Sequence, residues 1–175
     1  MRFIVVLVFA LLFYTSCSST EPIQTEDTSA KTVTEEDDGA PLWYNEQVSS
    51  DSDSVSFSGY AFATSSDSTE AAELSFKTAE KNLIFEIDRF AEEIRKQTAD
   101  KPGGDELNST AFILNLRQTV QRMDVNNAER TSDIFPENSI YRAYASLSLP
   151  RQDIVSRLAS EINSTVFTEE HRLSQ

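Results

Sequence analysis

The stretch from Asp67 to about Gln97 constrains this chain more than any other, because its apolar residues recur at steps of three and four. Ala72, Phe76, Ala79, Leu83, Ile87, Phe90 and Ile94 fall on one face of a single helix. Glu73, Lys77, Glu80, Lys81, Arg89, Glu92 and Lys96 take the opposite face. Asp67-Ser68-Thr69-Glu70 has the spacing of a capping box, with Asp67 as N-cap and Glu70 three residues on. A helix of this length must cover its greasy stripe. A coiled-coil partner is one way to do so, and a sheet of the same chain is the expectation here.

Sheet-forming segments flank the helix on both sides. Over Ser54 to Thr64, Val55, Phe57, Gly59 and Ala61 alternate with Ser56, Ser58, Tyr60 and Phe62, the period of a strand. Gly59 in mid-strand predicts close approach by another element. Tyr141, Ala143, Ala145, Leu147 and Leu149 alternate with Arg142, Tyr144, Ser146 and Ser148 in the same way, over about Ile140–Leu149. A further strand is expected over about Ala128–Phe135, with Pro136-Glu137-Asn138-Ser139 joining the two. Pro102-Gly103-Gly104 ends the long helix. A second helix is predicted from about Asp105 to Met123, with Leu107, Phe112, Ile113, Leu116, Val120 and Met123 inward. A last helix runs from about Arg151 to Asn163, with Pro150 in its first turn and Ile154, Val155, Leu158 and Ile162 buried. The fold class is α+β: a small antiparallel sheet of about three strands, with a long helix and one or two others on one face.

The first 40 residues have another character. Arg2 and the apolar run Phe3–Tyr14 are too short to span a bilayer, which needs roughly 20 apolar residues, and read as an export signal over residues 1–16. Leu12-Phe13-Tyr14-Thr15-Ser16-Cys17 resembles a bacterial lipoprotein signal, which makes Cys17 the acylated first residue of the mature protein. An ordinary secretory signal with a leftover thiol is the alternative. Cys17 is the only cysteine, so no disulfide framework or thiolate metal site is available. From Ser18 to about Ala40 the chain is Ser-, Thr- and acid-rich and nearly empty of large hydrophobes, the composition of a disordered spacer. Glu35-Glu36-Asp37-Asp38 reads as a solvated charge run rather than a docking site. The formal charge of −14 disfavours nucleic acid as a partner and supplies no basic patch for lipid headgroups. Any membrane attachment must come through the lipid on Cys17. Pro41-Leu42-Trp43-Tyr44 marks the start of a single domain, about 41–163, with a frayed tail over 164–175. Trp43 is expected to plug the domain edge; an exposed recognition aromatic is the other reading.

Cys17, Pro41-Leu42-Trp43, Ser58-Gly59-Tyr60-Ala61, the Ala71–Ile94 helix, and Tyr141-Arg142-Ala143-Tyr144-Ala145 running into Leu149-Pro150-Arg151 together resemble the LPP-twenty family of bacterial envelope lipoproteins. The likeness covers about 41–163. It implies an outer-membrane, lipid-anchored protein of structural or accessory role, facing the periplasm or the cell surface, with no catalytic residues to transfer.

The residues bear little chemistry. His171, the sole histidine, lies in the tail, so no Ser-His or Cys-His pair can be built in the core. Neither G-x-S-x-G nor a Walker-type loop occurs, and no cofactor or metal is expected. Gly103-Gly104-Asp105 reads as a turn. Asp51-x-Asp53 falls in an expected loop without the spacing of an EF-hand. Asn108-Ser109-Thr110 and Asn163-Ser164-Thr165 fit glycosylation sequons, which matter only in a eukaryote. The expectation is a non-enzymatic accessory, assembly or scaffold protein that contacts an envelope protein, with a homo-oligomer also open. Trp43, Tyr60, Phe62 and Tyr144 are the candidate contacts, though a helix or Trp43 could equally cover the last three. The alternative is a binding module for an apolar or peptide ligand in a cavity lined by Phe57, Phe76 and Leu147.

Overall fold

A computed structural model describes residues 39–162. The leader, Cys17, the acidic spacer up to residue 38, Asn163, the 164–175 tail and His171 lie outside the described residues. Within them the order is β1 (Ser50–Ser52), β2 (Ser56–Ser65), α1 (Ser68–Ala99), a 3-10 turn (Asp105–Asn108), α2 (Thr110–Gln121), β3 (Glu129–Glu137), β4 (Ile140–Pro150) and α3 (Arg151–Ile162). The strands form one antiparallel sheet in the order β1-β2-β4-β3. The class is α+β, with four strands where about three were expected.

Helix α1 begins where its cap chemistry places it. Asp67 is extended and its carboxylate accepts the N–H of Glu70 at 2.9 Å. Glu70 does not close the box on the Asp67 amide. Its carboxylate takes the Ser65 hydroxyl, and the Ser65 oxygen accepts the Asp67 N–H at 3.2 Å. A serine at the end of β2 is thus inserted between the two halves of the box and ties strand to helix. The buried line of α1 runs through Ala71, Ala79, Leu83, Ile87, Phe90 and Ala91 and also includes Ser75, Glu86 and Arg95. Phe76 and Ile94, expected on the stripe, are partly buried at its margin, and Ala72 is half-buried.

The register sorts the sheet into two faces. Phe57↔Leu149, Gly59↔Leu147 and Ala61↔Ala145 pair across β2 and β4 on the face that α1 covers. Gly59 marks the crossing: a Cβ there would stand 2.3 Å from the Ala79 carbonyl oxygen and 2.4 Å from the Leu83 nitrogen. The predicted close approach is therefore that of α1. Ile154, Val155 and Leu158 of α3 complete this core. Arg151, at the start of α3, lays its guanidinium over Phe57 and Phe90 at 5.2 and 4.4 Å.

Four local expectations change. Strand β1 was not foreseen, because Ser-Asp-Ser carries no alternating hydrophobicity. Its serines instead reach Glu86 of α1: Ser52 Oγ donates at 2.8 Å and Ser50 Oγ at 3.3 Å. Asp51 accordingly sits in a strand, not a loop. The helix expected over 105–123 is broken at Ser109, which is extended (ψ 143°) and caps α2 by accepting the Phe112 N–H at 3.2 Å. Pro136 belongs to β3 rather than to the connection, as an edge strand permits. The β3–β4 loop shrinks to Asn138-Ser139, with Asn138 in the left-handed region at φ 55°. Pro150 ends β4 opposite Ser56, and α3 starts one residue later.

Candidate functional site

Among the described residues, the face of the sheet turned away from α1 carries no helix. Its rows are set by register: Ser58↔Ser148, Tyr60↔Ser146↔Thr131, and Phe62↔Tyr144↔Asp133. Serines hold the centre while rings gather toward one end. Across this face lies the segment that enters the domain. Two successive turns shape it, with the Tyr44 N–H donating to the Pro41 carbonyl at 2.9 Å and the Val48 N–H to the Asn45 carbonyl at 3.0 Å.

Those turns aim two rings at the sheet. The Trp43 indole N–H donates to the Asp133 carboxylate on β3 at 2.7 Å. Tyr44 stacks edge-on against Tyr144 at 4.8 Å between centroids and reaches Phe62 at 6.1 Å. Phe62 and Phe135 lie 6.1 and 5.9 Å from Tyr144, and Trp43 stands 6.1 Å from Tyr44. The result is a five-ring cluster centred on Tyr144. The Tyr144 hydroxyl accepts from Arg142, whose guanidinium also bonds Glu137 at 2.7 Å.

Of the four candidate contacts, this geometry brings Trp43, Phe62 and Tyr144 into one cluster and sets Tyr60 one row away. Their exposures differ. Phe62 is 48% exposed and Tyr144 only 1%, so Tyr144 is the floor of the platform and not itself a contact. Trp43 is half-buried as the expected plug, yet Tyr44 is the ring that covers Tyr144. Tyr44 and Phe135 were missed. Tyr44 adjoins Trp43 in a four-residue apolar island, which is its signal; Phe135 stands at the end of the expected strand, where alternation leaves its face ambiguous.

Beside the cluster lies a surface cavity of about 190 Å³, lined by Trp43, Asn45, Val48, Asp51 and Tyr60. The Tyr60 hydroxyl stands 3.4 Å from Asp51 Oδ1. Burial pushes the Tyr60 phenol up, and the nearby Asp51 and Asp53 charges push it further, against a bond from Ser58. Burial likewise raises Tyr44, with help from Glu46. Asp53 is held low by the backbone N–H groups of Ser56 and Val55.

The residues Phe57, Phe76 and Leu147, expected around an interior cavity, are otherwise engaged. Phe57 and Leu147 are buried in the core, and Phe76 packs on its margin beneath the Arg130 guanidinium at 5.7 Å. The direct helix–sheet contact at Gly59 lies among them. On the outer side of α1, a groove of about 370 Å³ is lined by Glu80, Lys81, Ile84, Phe85, Asp88 and Gln121. Asp88 is raised there, chiefly by burial, with Arg117 opposing and Glu92 adding to the shift.

The buried carboxylate Glu86 has a structural partner set. Burial pushes its pKa up, but Arg89 and the Ser52 and Ser50 hydroxyls outweigh that and hold it below the ordinary carboxylate range. Arg95 is a second buried charge. It pairs with Glu92 and donates to the Leu107 carbonyl at 3.1 Å and the Asn108 side chain at 2.7 Å, bolting the 3-10 turn to α1. Among the described residues, no group of three or more His, Cys, Asp or Glu is placed to hold a metal ion. No helix among them is long and apolar enough to cross a membrane. No family model, curated protein or solved structure matches the chain.

Proposed function

We propose that this protein is a bacterial envelope lipoprotein, anchored in the outer membrane through acylated Cys17. Its domain acts there as a non-enzymatic accessory or scaffold module that binds another envelope protein. The observation that carries the reading is the half-exposed aromatic platform of Trp43, Tyr44 and Phe62 on the helix-free face. Large aromatic rings, here two with polar tips and one wholly apolar, set around a buried floor such as Tyr144, are the composition of protein contact surfaces. The resemblance to the LPP-twenty family, carried by the residues quoted above, points the same way. Trp43 and Tyr44 of the platform also follow closely in sequence on the spacer after Cys17.

The test is photocrosslinking in membranes, with benzoylphenylalanine replacing Phe62 on the open face or Phe85 on the outer side of α1. Discrete envelope adducts from position 62 and few from 85 are expected. Cys17→Ser should shift the protein to the soluble fraction and weaken the adducts. Equal adducts from both positions, or undiminished membrane association of Cys17→Ser, would overturn the proposal.

A further inference from the structure

The cavity beside the aromatic cluster has walls with a specific chemistry. Trp43 and Tyr60 supply rings, Asp51 a carboxylate, Asn45 an amide and Val48 an aliphatic side. The faces of Trp and Tyr rings are electron-rich and attract cations. No ion pair of the described residues reaches Asp51. The Asp51 carboxylate accepts from the Tyr60 hydroxyl on Oδ1 at 3.4 Å and keeps lone pairs on both oxygens for a further donor. Asp53 lies close enough to add to the negative potential at Tyr60.

We propose that this cavity binds an alkylammonium group, the side-chain ammonium of a lysine on the partner protein. The reading rests on the protein-contact function above and names the chemistry of the partner. A cation fits the rings and the carboxylate together, whereas an anion would meet Asp51 without a compensating charge. Asp51 is the single charged acceptor of the lining, which suits the three donors of a compact ammonium better than the five of a guanidinium. The volume of about 190 Å³ is space for several waters at about 30 Å³ each, and so for an ammonium head with its last methylenes. A zwitterionic lipid headgroup is disfavoured, because its phosphate would find no cationic side chain in the lining. The hydrogen bond from the Trp43 indole to Asp133 fixes one wall in advance, so little ordering is needed on binding.

Trp43 is the only tryptophan, so the indole emission comes from a wall of this cavity. The full chain in an uncharged maltoside detergent is titrated at constant ionic strength with N-acetyl-lysine methylamide, its neutral Nε-acetylated form, and phosphocholine. A saturable change with the lysine compound, and a much weaker one with the other two, is expected. Asp51→Asn should weaken lysine binding about three- to fivefold, while Tyr60→Phe, which keeps the ring, should stay within about twofold. Equal response to the acetylated compound, or unchanged affinity in Asp51→Asn, overturns the proposal. Tighter binding of phosphocholine also overturns it, in favour of a lipid headgroup. If Asp51→Asn proves misfolded by circular dichroism, the charged and acetylated probes on the unsubstituted protein decide. Envelope crosslinks at position 62 without lysine binding would refute this inference alone; lysine binding without crosslinks would refute the contact function and leave the ammonium site.

Discussion

The two faces of the sheet are built from different materials. Under α1 the paired positions are Phe57, Gly59, Ala61, Ala143, Ala145, Leu147 and Leu149, small or aliphatic except for one ring. That face is dry, and its shape is dictated by how closely a helix backbone can approach Gly59. The opposite face carries Tyr60, Phe62, Phe135 and Tyr144, with serines between them, and its cover among the described residues is a short segment of turns. A helix fills a groove along its whole length and excludes water. A segment of turns covers only the rings it touches, so Tyr144 is sealed while Phe62 is left half exposed. One face holds the fold, and the other leaves amphipathic surface exposed.

Three substitutions set these faces against one another. Leu83→Ala, beneath the helix, should cost about 2–5 kcal/mol in urea unfolding, the lost transfer energy plus a cavity that the tight crossing cannot collapse. A loss below about 1 kcal/mol would mean that the covered face is less tightly packed than its geometry implies. Glu86→Gln removes a charge that anchors β1 to α1 and should cost about 1–3 kcal/mol at neutral pH. The folded-state pKa of Glu86 is lowered, so its contribution is fully present above the ordinary value of 4.5 and is lost as pH falls through the lower folded value. The gap between wild type and Glu86→Gln should therefore narrow in acid; a constant gap would assign the loss to packing. Phe62→Ser should cost less than about 1 kcal/mol, because half of the ring is already in water, yet should remove most crosslinking measured from neighbouring positions. A loss as large as that of Leu83→Ala would make the open face a second core instead of a contact surface.

Much of the helix-covered face was legible along the chain, since its determinants are local and periodic. Asp67 and Glu70 announced the start of α1, steps of three and four gave its inward stripe, and Gly59 announced a close neighbour. Ser109 was legible in principle as a cap, but the continuous apolar pattern from Leu107 to Met123 masked the break. The open face was harder to read. Alternation assigned Tyr60, Phe62 and Tyr144 to one side without saying which ring would be sealed. That depended on Tyr44, a hundred residues before Tyr144, and on a hydrogen bond from Trp43 to Asp133 spanning 90 positions. Strand β1 had no signal of its own, because Ser50 and Ser52 acquire their role only when Glu86 lies above them.

Sequence by itself determined the class of fold, the placement of the long helix and the two best-patterned strands, and the acidic, cysteine-poor character that restricts the chemistry. Each follows from periodicity or composition, which act over a few residues or over the whole chain at once. Only the tertiary structure decided the sheet order β1-β2-β4-β3, the burial of Tyr144 beneath Tyr44, and the meeting of Trp43, Asp51 and Tyr60 around one cavity. Those features depend on which surfaces meet after the chain has turned back on itself, and a ring is covered or exposed only by what lies above it.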